Sequence, residues 1–474
     1  MDVVLFIVGV LVIVVGLAVS IGLHELGHLI PAKRFGVRVS QYMIGFGPTI
    51  WSRRKGETEY GVKAIPLGGY IAMSGMYPPT PGGRPRNATT SFLDAIVQEG
   101  GGSAGTLVEA AVEEASGESS GSKPGRVSSM IQDAREQSAE TILPGEDHRA
   151  FYRLPIGKRI VVMLGGPLMN LLLAIVAYAI VLCGFGVPQI STTIGSVSEC
   201  VIDASSTQTE CTDADPAAPA AAAGILPGDR LVSVGGVAVT SWDDSTAIIR
   251  ESAGDPLAIV VERDGQEVAL TATPLRSERF VYDDAGQLVT GADGEPETVA
   301  VGFLGISPAY ETVRQPVTAV LPAVWDNTVL VAKMIVTLPQ RMVDVANAAF
   351  GTEERDPNGP ISVVGVGRLA GEITTLHSAP VADRVASLVG MFASLNVALF
   401  VFNLVPLLPL DGGHIAGALW EGLRRWWAKL RGKPDPGPFD AARFIPVTMV
   451  VVAVLAVMSV ILIVADIVRP ISLL

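Results

Sequence analysis

Two histidines and the glutamate between them, His24, Glu25 and His28, lie inside the first apolar run of the chain, which covers residues 3–31. Residues four apart share one face of a helix, so both imidazoles can bind one metal ion. Glu25 projects from the adjacent face, where its carboxylate can take a proton from an attacking water. Ionisable groups inside an apolar helix are costly and usually mark a site. The pattern therefore predicts a zinc-dependent hydrolytic site at membrane depth.

The composition is typical of a membrane protein with a water-soluble part. Hydrophobic residues make up 49% of the 474 residues and charged residues 17%, and the mean hydropathy is +0.44. Such a balance excludes an ordinary soluble enzyme. Runs of this length and apolarity predict four transmembrane helices, and they lie at about 3–31, 159–187, 384–408 and 444–468.

Basic residues near the ends of these runs predict the orientation. They follow run one, precede run two and fill the segment between runs three and four, and such clusters normally face the cytoplasm. Both termini and the segment 188–383 are therefore predicted to be extracytoplasmic, with the site near the cytoplasmic side. Residues 189–320 hold 20 Asp and Glu against 6 Lys and Arg, a net charge of −14. This acidic balance indicates no nucleic-acid partner.

A catalytic zinc needs a third protein ligand besides two histidines. Asp411 lies at the predicted cytoplasmic end of run three, and Gly412 and Gly413 allow a tight turn that can point its carboxylate inward. His414 is a second candidate for this role. The favoured interpretation is that His414 instead supports a metal ligand or lies at a helix interface. Two asparagines at membrane depth, Asn170 and Asn403, are candidates for substrate binding or oxyanion stabilisation, or for hydrogen bonds between helices.

The segments between the runs have distinct characters. Alternating apolar and polar residues around a polar turn predict a β-hairpin at 37–76, beside the histidine helix. Residues 78–150 are rich in Gly, Ser and Glu and predict a disordered cytoplasmic insert. The apolar stretch 317–350 is interrupted by charges, which favours an amphipathic surface helix over a fifth crossing. Cys200 and Cys211 share the outward segment, where either a disulfide or two free thiols is possible.

The chain resembles the site-2 protease family of intramembrane zinc metalloproteases. The resemblance is carried by three motifs: His-Glu-Leu-Gly-His at 24–28, Gly-Gly-Pro-Leu-Met-Asn at 165–170, and the run from Asn403 to Leu-Asp-Gly-Gly at 410–413. The stretch Gly-Ile-Leu-Pro-Gly-Asp-Arg-Leu at 224–231 resembles a PDZ domain, and Asn-Gly-Pro-Ile-Ser at 358–362 resembles the stretch before the third core helix of the family.

The resemblance implies a polytopic α-helical membrane protein with four core transmembrane helices, a membrane-associated β-hairpin and one extracytoplasmic PDZ-like β domain. It implies that His24, His28 and Asp411 bind Zn²⁺ and that Glu25 is the general base. It further implies that the hairpin presents an edge strand to substrate and that the PDZ-like domain admits only pre-trimmed substrates, such as anti-sigma factors already cut by another protease. A zinc transporter and a non-catalytic PDZ adaptor are the alternatives.

The predicted organisation divides the chain into nine segments. In order, they are a first transmembrane helix at 1–34, the hairpin at 35–77, the insert at 78–150, a second transmembrane helix at 151–187, the PDZ-like domain at 188–310, an amphipathic helix and connector at 311–383, a third transmembrane helix at 384–415, a cytoplasmic loop at 416–443 and a fourth transmembrane helix at 444–474.

Overall fold

A computed structural model of the protein describes residues 2–78, 87–89, 142, 145–202, 208, 211–212, 215–281, 288–291, 296–351, 355–357 and 359–471. Most of the predicted insert at 78–150 lies outside the described residues, as does Asn358 of the Asn-Gly-Pro stretch. The chain divides into two units. We call them the helical unit, Met1–Phe185 with Pro316–Leu474, and the β unit, Gly186–Gln315.

The described residues form nine α-helices, of which α3 and α4 belong to the β unit. Their bounds are α1 Asp2–Arg34, α2 Ile156–Ala179, α3 Pro219–Ala222, α4 Trp242–Glu251, α5 Val320–Phe350, α6 Val363–Thr375, α7 Val381–Leu404, α8 Asp411–Leu430 and α9 Ile445–Val468. A π-helical segment, Ile180–Phe185, continues α2.

Eleven strands are also described, three in the helical unit and eight in the β unit. They are β1 Val39–Lys55, β2 Thr58–Ser74, β3 Asn87–Thr89, β4 Val187–Val197, β5 Arg230–Val234, β6 Val237–Ala238, β7 Leu257–Arg263, β8 Gln266–Ala272, β9 Leu275–Phe280, β10 Thr298–Phe303 and β11 Ile306–Val313.

Five helical segments among the described residues are long and apolar enough to cross a membrane, by length and composition. They are Asp2–Arg34, Ile156–Phe185, Val317–Phe350, Val381–Leu404 and Ala441–Val468. Four of them coincide with the predicted runs. The fifth, which contains α5, is the segment for which the sequence predicts a surface helix, so length and composition alone leave a fifth crossing open.

The contacts of α5 differ along its length. The 3₁₀ turn before it, Val317–Ala319, contacts the π-helical end of α2. Val331 packs on Ala174 of α2 and Val397 of α7, and near the end of α5, Val345 and Ala349 pack on Ala465. Helices α1 and α2 are antiparallel, and α6 ties the start of α1 to the end of α9 through Thr374 and Ser362. These contacts leave both the surface helix and a fifth crossing open.

The hairpin of β1 and β2 folds back on itself beside α1. Gln41 of β1 pairs with both Glu59 and Ala72 of β2, so this part of β1 lies between the two halves of β2. The tip of the hairpin is anchored from the far end of the insert, where Arg149 forms ion pairs with Glu57 and Glu146. Residues 145–150, which the sequence places in the disordered insert, are therefore ordered against the hairpin.

The β unit is built on a twisted antiparallel sheet in the order β11-β4-β5-β7-β8, with β9 and β10 forming a separate ribbon. Leu231, Ile259 and Ile194 lie at the centre of its core and are almost fully buried. Asp229 accepts hydrogen bonds from the guanidinium of Arg263, which lowers the pKa of the Asp229 carboxyl. A disulfide joins Cys200 to Cys211, which settles the pairing that the sequence leaves open.

Candidate metal centre

Glycines bring α1 and α2 into backbone contact at the level of the histidines. A Cβ atom at Gly27 would lie 2.3 Å from the carbonyl oxygen of Gly165, and one at Gly165 would lie 2.1 Å from that of Gly27. A Cβ at Gly166 would lie 2.2 Å from Nε2 of His28 and 2.7 Å from Nε2 of His24. Small residues at 165–166 and 27 thus permit the close approach of the two helices.

Three donor atoms converge at this contact. Nε2 of His28 lies 3.1 Å from Nε2 of His24, and Oδ2 of Asp411 lies 3.2 Å from the first and 3.3 Å from the second. Within the described residues, these three side chains form the one group of His, Cys, Asp or Glu whose donor atoms lie close enough together to hold a metal ion. Asp411 is the first residue of α8, so α8 supplies the third donor.

The separations fit a tetrahedral zinc ion. Ligand bonds of about 2.0–2.1 Å at tetrahedral angles place neighbouring donor atoms about 3.3–3.4 Å apart, close to the spacing of His24, His28 and Asp411. Nδ1 of His28 lies 2.8 Å from the carbonyl oxygen of Val162. A proton on Nδ1 satisfies this bond and leaves the Nε2 lone pair of His28 directed at the other two donors. The donor set and its support both fit zinc.

The backbone around Asp411 is tightly packed, which fixes the start of α8. A Cβ at Gly412 would lie 2.4 Å from the carbonyl oxygens of Leu404 and Val405, and one at Gly413 would lie 2.6 Å from the nitrogen of Leu408. Only glycine fits such close backbone contacts. The two glycines after Asp411 therefore allow α8 to begin directly beside the end of α7, with the carboxylate next to the histidines.

Glu25 lies beside the donors and next to the hairpin. Its side chain is buried, and Oε2 has no hydrogen-bond partner among the described residues. A Cβ at Gly69 of β2 would lie 3.0 Å from Cγ of Glu25, and the hydroxyl of Tyr42 donates to the carbonyl oxygen of Gly22 at 2.7 Å. The carboxylate is thus available for a proton or a water, and the hairpin strand lies directly against the site.

The remaining predicted site residues have different surroundings. Asn170 is 1% exposed, and neither its Nδ2 nor its Oδ1 has a hydrogen-bond partner among the described residues. It lies one turn after Gly166 on α2, so an unpaired amide faces the region of the histidines. Asn403 donates from Nδ2 to the carbonyl oxygen of Leu399 on its own helix. His414 is outside the group of converging donors.

Two polar contacts near the site were not predicted. Ser20, one turn before His24, donates to Oδ1 of Asn396 on α7, and both side chains are fully buried. Arg159 of α2 forms a buried ion pair with Glu421 of α8 at 2.6 Å. The signal was present in the sequence, because Ser20 and Asn396 are polar residues inside apolar runs and such residues usually bond to another helix.

We expect Gly166→Ala to disrupt the metal centre. Its Cβ would fall within 2.2 Å of Nε2 of His28, which is below any allowed contact, and the backbone of α1 cannot retreat without losing its contact at Gly27. The variant should bind zinc at least tenfold more weakly and lose activity in proportion. The metal content after dialysis measures the weakening of zinc binding. Gly157→Ala is the control, because a Cβ at Gly157 would meet nothing within 4 Å. Unchanged zinc binding in Gly166→Ala would contradict the geometry.

Two buried imidazoles, a partly exposed carboxylate donor and the buried carboxyl group of Glu25 lie together among apolar helices. They are the donors and the base expected of a membrane-embedded zinc metalloprotease. The comparison with known families agrees: residues 12–433 match the model of peptidase family M50, and the chain belongs to that family. It is a zinc metalloprotease of the site-2 type and a multi-pass membrane protein.

Curated relatives carry the same class of name. The chain is 33% identical to the zinc metalloprotease Rip1 of Mycobacterium tuberculosis, with 99% of each chain covered. It is 28% identical to the metalloprotease MmpA of Caulobacter vibrioides, with 90% of this chain and 88% of the relative covered. It is 26% identical to the zinc metalloprotease RasP of Geobacillus kaustophilus, over 85% of this chain and 86% of the relative.

Proposed function

We propose that the protein cleaves transmembrane segments of membrane proteins at the zinc site formed by His24, His28 and Asp411. One observation carries the proposal: three donor atoms within 4.8 Å of one another lie beside the Glu25 carboxylate, inside a bundle of apolar helices. Oε2 of that carboxylate has no hydrogen-bond partner among the described residues. Charged groups at such a depth are expensive and mark function. Peptide hydrolysis uses every member of the group.

Each residue has a separate task in this reaction. The Nε2 atoms of His24 and His28 and a carboxylate oxygen of Asp411 would hold Zn²⁺, which would supply Lewis-acid polarisation of the scissile carbonyl and lower the pKa of the attacking water. Glu25 accepts a proton from that water as its oxygen adds to the carbonyl carbon. The same carboxyl then donates the proton to the amine nitrogen as the C–N bond breaks. We propose that the amide of Asn170, which has no hydrogen-bond partner among the described residues, binds substrate near the histidines.

The hairpin supports the unwinding of a substrate helix. An extended segment in a bilayer loses its internal hydrogen bonds, and a free strand edge can replace them by strand addition. The second half of β2 forms one side of the folded hairpin, and its Gly69 contacts Glu25. Ala72–Ser74 of this half already pair with β3. We infer that substrate pairs with β2 at Gly69, which would place its backbone beside the carboxylate that moves the proton.

The substrate class follows from the resemblance and from the charge pattern of the sequence. We propose that both termini and the β unit, with its PDZ-like sequence at Gly224–Leu231, are extracytoplasmic and that the metal centre lies towards the cytoplasmic side. The substrates are then single-span proteins, such as anti-sigma factors, that a first protease has already shortened outside the membrane. An acidic β unit gives no support for a nucleic-acid partner.

Cleavage of a reporter with one transmembrane helix tests the proposal against its two alternatives. The purified protein should contain about one zinc per chain, cut the reporter within its apolar segment, and lose both zinc and activity to a chelator. A zinc transporter would bind the metal without cutting, and a PDZ adaptor would do neither. Zinc binding without cleavage of any pre-trimmed helical substrate would contradict a proteolytic function.

The β unit is expected to restrain the enzyme by excluding bulky substrates. Leu231→Asp places a charge in the core of this unit, where Leu231 is 1% exposed, and should unfold it. We expect the variant to cut full-length substrate in cells that lack the first protease, whereas the unmodified protein cuts none. The fraction of full-length substrate cleaved is measured, with the exposed Leu226→Asp as the control. If the Leu231→Asp variant still cuts only trimmed substrate, the β unit does not act by excluding bulky substrates.

A further inference from the structure

The outer surface of α8 combines tryptophans with basic residues. Three of the six tryptophans in the chain lie inside this helix, in the eight-residue stretch 420–427. Each is about half exposed. We call the exposed apolar side chains of α8 the tryptophan face, which consists of Leu419, Trp420, Leu423, Trp426, Trp427 and Leu430. Nothing in the described part of the chain covers this face.

The tryptophan face is opposite the side by which α8 is attached to the protein. At 100° per residue, its six members cover about 120° of the helix circumference. The opposite side carries Glu421, which is fully buried and paired with Arg159, and Gly417, where a Cβ would contact the ring of Phe439 at 2.6 Å. The helix is thus fixed to the bundle on one side and exposes an apolar surface on the other.

Basic side chains border the tryptophan face and continue beyond it. Lys429, Arg431 and Lys433 are exposed, and the guanidinium of Arg431 lies over the ring of Trp427 at 4.9 Å. The acidic residues of α8 are Asp411 and Glu421, neither of which lies on this face. An apolar stripe flanked by exposed cations is complementary to lipid with negatively charged headgroups.

The position of α8 in the bundle places this surface at a membrane boundary. Gly422 packs against Ile156, the first residue of α2, so the tryptophans lie at the end of the bundle where α2 begins. By contrast, α9 exposes Val447, Val450 and Val454 without tryptophan or charge, as expected for hydrocarbon contact. Tryptophan is enriched at membrane–water interfaces, and exposed basic residues there attract anionic lipid.

We propose that the tryptophan face, together with Lys429, Arg431 and Lys433, binds the headgroups of anionic phospholipids. A second copy of the chain fits this surface poorly, because two such faces would bring like charges together. The inference does not depend on proteolysis. Asp411, one of the three metal donors, is the first residue of α8. Lipid bound to the tryptophan face therefore also restrains the helix that carries this donor.

Brominated lipids, which quench tryptophan fluorescence on contact, test the proposal with the full-length protein in nanodiscs. Phosphatidylcholine discs carry a small fraction of either brominated phosphatidylglycerol or brominated phosphatidylcholine. We expect phosphatidylglycerol to occupy the face about tenfold more than phosphatidylcholine at equal fraction, and high salt to reduce this preference. Replacing Trp420, Trp426 and Trp427 by Phe should remove the excess quenching.

Two triple variants that each remove three positive charges complete the test. Lys429→Gln, Arg431→Gln and Lys433→Gln together should bring the preference close to one, whereas Arg250→Gln, Arg276→Gln and Arg314→Gln, which remove three exposed charges from the β unit, should leave it unchanged. Equal quenching by both lipids overturns the proposal. So does competition by inorganic phosphate beyond the effect of matched sodium chloride, or a dimer that the tryptophan replacements dissociate.

Discussion

Glu25→Gln is expected to lower the rate of reporter cleavage by about 10²–10⁴-fold while zinc stays bound. The substitution keeps the size of the side chain but replaces one carboxylate oxygen by an NH₂ group and removes the negative charge, so that the side chain can no longer act as a base. Glu25 lies next to the three donors without being one of them, and its Oε2 has no partner among the described residues. The loss should therefore appear in the chemical step and not in metal binding.

The measurement pairs zinc content with the initial rate of cleavage of a pre-trimmed reporter in the same preparation. Glu25→Ala extends the test, because it removes the side chain altogether and should be equally inactive with zinc retained. Ile21→Ala is a suitable control, since Ile21 also packs near Gly69 of the hairpin but carries no proton. A zinc-replete Glu25→Ala protein with substantial turnover would show that another group is the base.

Asp411→Ala is expected to weaken zinc binding by more than about 100-fold, which exceeds the loss usual for a residue that only supports a ligand. Its Oδ2 lies within 3.3 Å of both histidine nitrogens, and no other carboxylate or thiol of the described residues joins them. With two ligands left, the site should lose zinc at ordinary concentrations, and cleavage should be lost with it.

His414→Ala is the matched comparison, because His414 lies one turn further along α8 and is the competing ligand in the sequence. Its zinc binding and activity should stay within about tenfold of the unmodified protein. Zinc is titrated against a competing chelator in both variants, and cleavage is measured at saturating zinc. If His414→Ala loses the metal and Asp411→Ala keeps it, the third ligand is His414 and the proposed centre is wrong.

Local patterns in the sequence were sufficient to predict the paired histidines, the glutamate beside them and the apolar helices. His24 and His28 meet because residues four apart on a helix always share a face, whatever surrounds them. Alternating apolar and polar residues around a turn predict the hairpin. The four long apolar runs predict helices, because peptide groups buried in lipid must hydrogen-bond within their own segment. These features depend on neighbours in the chain, so the sequence alone determines them.

Contacts between distant segments could not be derived in this way. The sequence favoured Asp411 over His414 as the third ligand without excluding His414, and it left the pairing of Cys200 and Cys211 open. It did not identify Ser20 and Asn396 as partners. Each depends on the rotation and depth of one helix or loop against another. Those quantities are set by packing, such as the backbone contact of α1 and α2, and not by local spacing.

The sequence by itself thus determined the class of chemistry, and it predicted two imidazole donors, a base and a site at membrane depth. Only the tertiary structure decided that Asp411 lies within 3.3 Å of both imidazoles, that the amide of Asn170 has no hydrogen-bond partner among the described residues and that Asn403 bonds to its own helix. The physical reason is that donor geometry is sensitive to shifts of less than 1 Å, which only the close-packed arrangement of α1, α2 and α8 specifies.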